Sequence, residues 1–147
     1  TGNHEYYVKD HTRKLAALEH YNIVMLDNQN ACLGEVNLIG ISDNQSRKTQ
    51  AALATRLTDN NRFNLLLVHQ PSIWEDMAGR IDLMMSGHTH NGQIFPFNLL
   101  VRMQFRTVYG LFQEKASALY VSSGSGTWGP RMRLGTQNEI VIIELRP

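Results

Sequence analysis

Four of the six histidines in this chain stand where metal chemistry would need them. His4 lies in Gly2-Asn3-His4-Glu5. His69 directly follows the apolar run Phe63 to Val68, and His88 and His90 directly follow the run Asp82 to Met85, in Ser86-Gly87-His88-Thr89-His90. Neutral imidazoles two residues apart reach one metal ion or two adjacent ones, and imidazole suits Zn, Fe and Mn better than Ca or Mg. In parallel α/β sheets, functional loops gather outside the carboxyl ends of the strands. Two strands each ending in histidine therefore bring His69, His88 and His90 to one edge, and Gly87 lets the chain turn sharply before the pair. Taken singly, each feature has a plainer reading: a lone histidine is an ordinary polar residue, and Phe63 to Val68 is a core strand. Their joint order is the specific signal.

The elements that position these residues alternate helix and strand, which reads as an α/β fold. Residues 10–20 pattern as a helix, with Leu15 and Leu18 on one face. Ile23 to Leu26 is a short apolar run that reads as a strand. Val36 to Ile41 is another, with Cys32-Leu33 paired to it across Gly34-Glu35 as a hairpin. Residues 46–58 form a helix capped by Ser46, with Ala51, Ala52, Leu53 and Leu57 inward. The continuous apolar runs Phe63 to Val68 and Asp82 to Met85 suit strands buried on both faces. Leu99 to Phe105 is a short helix or an apolar lip. Leu119 to Val121 and Glu139 to Leu145 read as strands, and the Gly-rich stretch Ser122 to Pro130 between them as a long loop.

The composition bounds what these elements can serve. A chain of 147 residues, 42% apolar and 18% charged, fits one domain with a real core and excludes disordered, collagen-like and coiled-coil classes. Fourteen basic and thirteen acidic residues give a net charge of +1, which offers no general nucleic-acid surface and no polybasic patch. The single cysteine, Cys32, cannot form an internal disulfide. No apolar run is long enough to span a membrane, and no signal peptide is evident. The chain opens on Thr1 rather than Met and reads as cut.

In order, Gly2-Asn3-His4-Glu5, Val68-His69-Gln70-Pro71 and Ser86-Gly87-His88-Thr89-His90-Asn91-Gly92-Gln93-Ile94 resemble the calcineurin-like metallophosphoesterase family. The extended Gly-His-Thr-His-Asn-Gly-Gln form, with the later Gly124-Ser125-Gly126 loop, is similar to a bacterial subgroup often tethered to membranes. The family has five motifs, and the first two, Asp-x-His and Gly-Asp-x-x-Asp, are absent here. The resemblance implies that residues 1–147 are the carboxyl-terminal part of a single domain, the second half of a four-layer α-β-β-α sandwich. It implies that Asn3, His69 and His88 bind one metal and His90 the other, with His4 as general acid and Glu5 orienting it. It implies two divalent ions (Mn, Fe or Zn) in the complete protein and partial or no occupancy in this portion. A two-metal site clamps the phosphate and generates a hydroxide nucleophile at neutral pH, and a histidine protonates the leaving oxygen.

The resulting expectation is a phosphoester hydrolase whose present portion is inactive alone. A non-catalytic, metal-poor oligomerising fragment is the second reading, and a nuclease of the same family the third; balanced charge disfavours nucleic acid as a partner. Loss of neighbouring strands would expose sheet edge and apolar face, so self-association of this portion is expected. The chain itself is expected to be soluble, with a membrane tether in the parent. No residue is assigned to substrate binding. Arg131, Arg133 and the backbone of the Gly124 to Gly129 loop are weaker candidates for phosphate contact. Phe95, Phe97, Leu99, Leu100, Val101 and Met103 read either as core or as a lip for a lipid-like substrate.

Overall fold

The computed structural model describes residues 1–146, all but Glu19 with their side chains. Six strands form one sheet in the order β1-β2-β3-β4-β6-β5. They are β1 (Gln29–Leu33), β2 (Val36–Ile41), β3 (Phe63–Val68), β4 (Leu83–Ser86), β5 (Gly110–Glu114) and β6 (Ser117–Val121). The four central strands β2, β3, β4 and β6 are parallel. The edges β1 and β5 are the outer arms of two antiparallel hairpins. Four α-helices accompany them: α1 (His11–Ala16), α2 (Arg47–Leu57), α3 (Trp74–Met77) and α4 (Phe97–Gln104). The α/β reading therefore holds.

Helix α2 starts where expected: Ser46 is extended and its side chain accepts from the Thr49 amide at 3.2 Å. Its inward face differs by one position, because Gln50 and Ala54 are its buried residues while Ala52 is exposed. Ile39, Ile41, Leu66, Val68, Met84, Leu119 and Val121 form the core beneath it, together with Ile73, Trp74 and Met77. A polar clasp ties the far end of α2 to the sheet. The Asn37 amide donates to the Leu57 carbonyl and to Asn64 Oδ1, both at 2.9 Å, and Asn64 Nδ2 donates to the Asp59 carbonyl. Asn37 is fully buried, and its partners remove the cost of taking an amide out of water.

Among the described residues one face of the sheet is fully packed and the other only partly covered. Along β3, Asn64, Leu66 and Val68 are buried while Phe63 and Leu65 are half-buried and Leu67 is exposed. Neighbours in register are Leu38 and Leu83 beside Leu65, and Gly40 and Met85 beside Leu67; of these Leu83 and Gly40 are buried and Leu38 and Met85 half-buried. Burial on both faces, expected from the two continuous apolar runs, is thus not what β3 has, whereas in β4 the successive residues Leu83 and Met84 are both buried; an apolar run does not say how many faces are packed. Ile23 to Leu26 is not a strand but a crossing segment, and a side chain at Gly40 would collide with the Leu26 carbonyl. It leaves an apolar cleft of about 440 Å³ lined by Val24, Leu26, Leu67, Met85 and His69.

Glu139 to Leu145 is also not a strand. Ile140 and Ile142 are exposed, and the segment has no sheet neighbour among the described residues. Its position is set at its start, where Glu139 is held by Tyr109 and Tyr120 rather than by strand pairing. Sequence reading also passed over β5 and α3, both short and without a clear period.

Candidate metal centre

The parallel order β3-β4-β6 places three loops side by side at the carboxyl edge. His69 follows β3, Gly87-His88 follows β4, and Ser122-Ser123 follows β6. Backbone bonds lock them: the Gly87 amide donates to the His69 carbonyl at 2.9 Å and the Ser122 amide to the Ser86 carbonyl at 2.8 Å. Asn3 arrives from the other end of the chain, on a turn fixed by the Gly2 amide donating to Glu5 Oε2 at 2.6 Å.

The result is a convergence of three side chains. His69 Nε2 stands 2.9 Å from Asn3 Oδ1 and 3.0 Å from His88 Nδ1. One ring nitrogen carries either a proton or a lone pair. With Asn3 presenting its oxygen, His69 Nε2 cannot donate to both neighbours. A cation among three lone pairs satisfies all of them. Two ligand atoms each ~2.1 Å from one ion, at a right angle, lie about 3.0 Å apart, so the spacing fits a shared ion. No group of three or more His, Cys, Asp or Glu side chains meets around one point among the described residues; the third donor here is an amide.

Electrostatics favour neutral, lone-pair-bearing rings. Burial pushes the pKa of all three histidines down: His69 by burial, His88 by burial and then the His69 charge, His90 by burial and then Arg133. A neutral imidazole is the ligand form. His90 Nδ1 is buried with no hydrogen-bond partner, and its ring is not bonded to the other three residues. His4 is exposed, with its ring 5.6 Å from that of Tyr7. Glu5 bonds the Gly2 amide, and no bond joins it to His4 among the described residues. The carboxylate of Asp43, held by Gln70 at 2.8 Å, adds negative potential at His69 and His88.

The histidine loop is built from unusual backbone. His88, His90, Asn91 and Gln93 all have positive φ, between 45° and 67°. Such conformations are costly for non-glycine residues and cluster at functional sites. The conformation is held from outside. Thr89 Oγ1 donates to the Val108 carbonyl at 2.6 Å. Gln93 receives the Trp128 amide at 2.6 Å and donates to the Trp128 carbonyl at 2.7 Å. Arg133 donates to the carbonyls of His90, Ser123 and Gly126 at 3.0, 2.7 and 2.7 Å. Arg133 is therefore a clamp on two loops and not an outward phosphate ligand, while Arg131 is exposed. In the Gly-rich loop, the Ser123 amide goes to Glu139 and the Gly124 amide to Ser122 Oγ, so neither amide is open to an anion.

Sequence reasoning missed the scaffold role of Glu139, and the motif that contains Gln93 does not show that residue's bonds to Trp128. Glu139 receives Tyr109, Tyr120 and the Ser123 amide at 3.0, 3.2 and 2.9 Å. Burial alone would raise its pKa, but the Ser123 amide and the hydroxyls outweigh it and hold the carboxyl low. Burial and the Glu139 charge push Tyr120 up to about 12. No local motif announces such a contact across the chain.

Gly92 gives a direct test of the scaffold. Its φ is 74°, and a Cβ there would collide with Asn98 in α4. Gly92→Ala is expected to destabilise the chain by about 2–3 kcal/mol, combining the left-handed penalty with displacement of α4. Urea denaturation measures this, and an unchanged midpoint would show that α4 yields freely.

The chain is similar to an uncharacterized metallophosphoesterase of Campylobacter jejuni at 40% identity, across 99% of this chain and 41% of that protein. A Bacillus subtilis uncharacterized metallophosphoesterase is 31% identical, across 98% of this chain and 58% of the relative. A Bos taurus transmembrane protein with metallophosphoesterase domain is 32% identical, across 99% and 38%. The chain thus spans about two fifths of the length of the first relatives it matches. No family model and no solved structure matches it. Similarity along the whole chain to proteins of this name supports a metallophosphoesterase family.

Proposed function

We propose that residues 1–147 form the carboxyl-terminal part of a dinuclear metallophosphoesterase domain whose complete form hydrolyses phosphate mono- or diesters. The observation that carries this reading is the meeting of Asn3, His69 and His88 from three distant stretches of sequence. These three would hold one divalent ion, and His90 would serve the second; Mn, Fe and Zn all suit imidazole and amide donors. Bound ions of this kind polarise a phosphate oxygen and lower the pKa of bound water. The residues of this chain do the remainder. Asn3 supplies a neutral oxygen, which adds no charge beside a carboxylate contributed elsewhere. His4, exposed at the rim and one residue from Asn3, donates its ring proton to the departing oxygen. Glu5 positions both by fixing the Gly2 turn.

The open apolar face of the sheet supports a four-layer α-β-β-α sandwich, with a second sheet, from the part of the relatives that this chain does not span, packed against Leu38, Leu65, Leu67 and Met85. In the isolated chain the same face favours self-association. Membrane association of the parent draws support from relatives named transmembrane proteins, while no helix among the described residues is long and apolar enough to cross a membrane.

A Zn²⁺ titration against a chromophoric chelator tests the assignment. The chain is expected to take up at most one ion, with affinity falling at least ~10-fold in His69→Ala, the lower end of what even outer partners of a ligand cost. Equal uptake by variant and parent would remove the basis of the reading. Hydrolysis of p-nitrophenyl phosphate by this chain alone is expected at background, since it holds neither an Asp-x-His nor a Gly-Asp-x-x-Asp motif.

A further inference from the structure

Helix α4 is amphipathic the wrong way round for a helix on a soluble surface. Asn98, Val101 and Phe105 face inward, and the Phe105 ring meets His88 edge-on at 5.7 Å. The outward positions Pro96, Leu99, Leu100 and Met103 follow the i, i+3, i+4, i+7 pattern and are all exposed. Leu99 is 55% exposed, Leu100 57% and Met103 84%. The patch continues sideways. Phe95 is joined to Leu134 by a backbone bond, and both are exposed. Trp128, tied to Gln93, is exposed as well. A core helix would turn this stripe inward; here it is offered to the outside next to the metal centre.

Charge decides what it is offered to. The chain is balanced as a whole, but residues 83–138 carry five basic side chains (Arg102, Arg106, Lys115, Arg131 and Arg133) and a single acid, Glu114. Arg102 and Arg106 lie on or just after α4, and Arg131 lies between Trp128 and Leu134 on the adjoining loop. Arg106 also reaches Glu75 at 3.2 Å, an exposed contact that salt and water weaken. Apolar side chains with a Trp, flanked by arginine and with a single carboxylate, Glu75, at the Arg106 end, match the signature of an element that lies in a membrane interface and prefers anionic lipid. The balanced net charge read from composition concealed this segregation.

We infer that α4 and the Trp128–Leu134 loop dock the protein on the surface of an anionic bilayer, with the metal centre at the rim of the contact. This inference does not rest on the hydrolytic reading, because binding is measured without turnover. Trp74 is 5% exposed and Trp128 50%, so a fluorescence change on adding lipid reports Trp128. Vesicles of phosphatidylcholine mixed with phosphatidylglycerol are expected to shift the emission to the blue and to co-float the full chain. Vesicles of phosphatidylcholine alone should bind less, and added salt should weaken binding. The double variant Leu99→Asp/Leu100→Asp should lose at least ~10-fold in vesicle affinity, and Arg102→Glu should lose the preference for anionic lipid. Near-ultraviolet circular dichroism confirms that the variants fold. Binding that is absent, or equal in the double variant, overturns the inference. So does a dimer in sedimentation that dissociates in the double variant without vesicle binding, because the patch would then meet a second copy.

Discussion

Replacing His88 by Ala in the complete protein is expected to lower phosphoester hydrolysis by at least ~10²-fold, beyond the 10–100-fold typical of losing a partner behind a ligand. His88 Nδ1 stands 3.0 Å from His69 Nε2, which in turn stands 2.9 Å from Asn3 Oδ1. The ring also packs, lying 4.8 Å from the ring of His69 and 5.7 Å from that of Phe105. A loss of activity alone would not separate ligand from packing. Metal-linked stability does. An ion that binds only the folded state raises the melting temperature by mass action, so the parent should melt higher with Mn²⁺ than with chelator, and His88→Ala should show a much smaller rise.

The same comparison without metal has a sign of its own. Burial holds the His88 pKa below its ordinary value of 6.5, so the unfolded chain binds more protons below that pH. Stability of the metal-free protein therefore falls as pH drops through 6.5. Removing the ring should soften that acid loss. A His88→Ala variant that keeps the full metal-induced rise in melting temperature would place the ion elsewhere.

How much of this was legible beforehand depends on the distance over which each signal acts. Ser46 and the period of α2, the Gly34-Glu35 hairpin and the runs ending in His69 and Ser86 are local patterns, and they located α2, β2, β3 and β4 to within a residue or two. The gathering of His69 and His88 at one edge followed from parallel strands alone. What failed is non-local. Glu139 to Leu145 has the apolar composition of a strand, but a strand needs a neighbour, and this segment is tethered instead by the Glu139 carboxylate. Arg133 reads from sequence as a weaker candidate for phosphate contact because nothing nearby in sequence reveals three carbonyls waiting for it. The apolar stretch Phe95 to Met103 was open to two readings; helical phase, with Val101 in and Leu100 out, separates them only once the helix has a place against the loop beneath it.

Substitution of His4 should have an effect whose size depends on the leaving group. His4 follows Asn3 at the start of a short helical turn, is exposed, and is not bonded to Glu5 among the described residues. A general acid contributes ~10²–10⁴-fold when the departing oxygen needs a proton. An alkoxide needs one; p-nitrophenolate leaves without it. In the complete protein, His4→Gln is therefore expected to slow hydrolysis of an alkyl phosphoester by ~10²–10⁴-fold and of the nitrophenyl ester far less. Metal uptake should be unchanged, because His4 is not among the proposed ligands Asn3, His69 and His88. Glu5 gives the companion result. Its carboxylate bonds the Gly2 amide, so Glu5→Gln keeps an acceptor there and should retain most activity, whereas Glu5→Ala releases the turn and should impair both esters together. Equal losses with both esters in His4→Gln would make His4 a positioning residue like Glu5, and the proton would have to come from water or from the substrate itself.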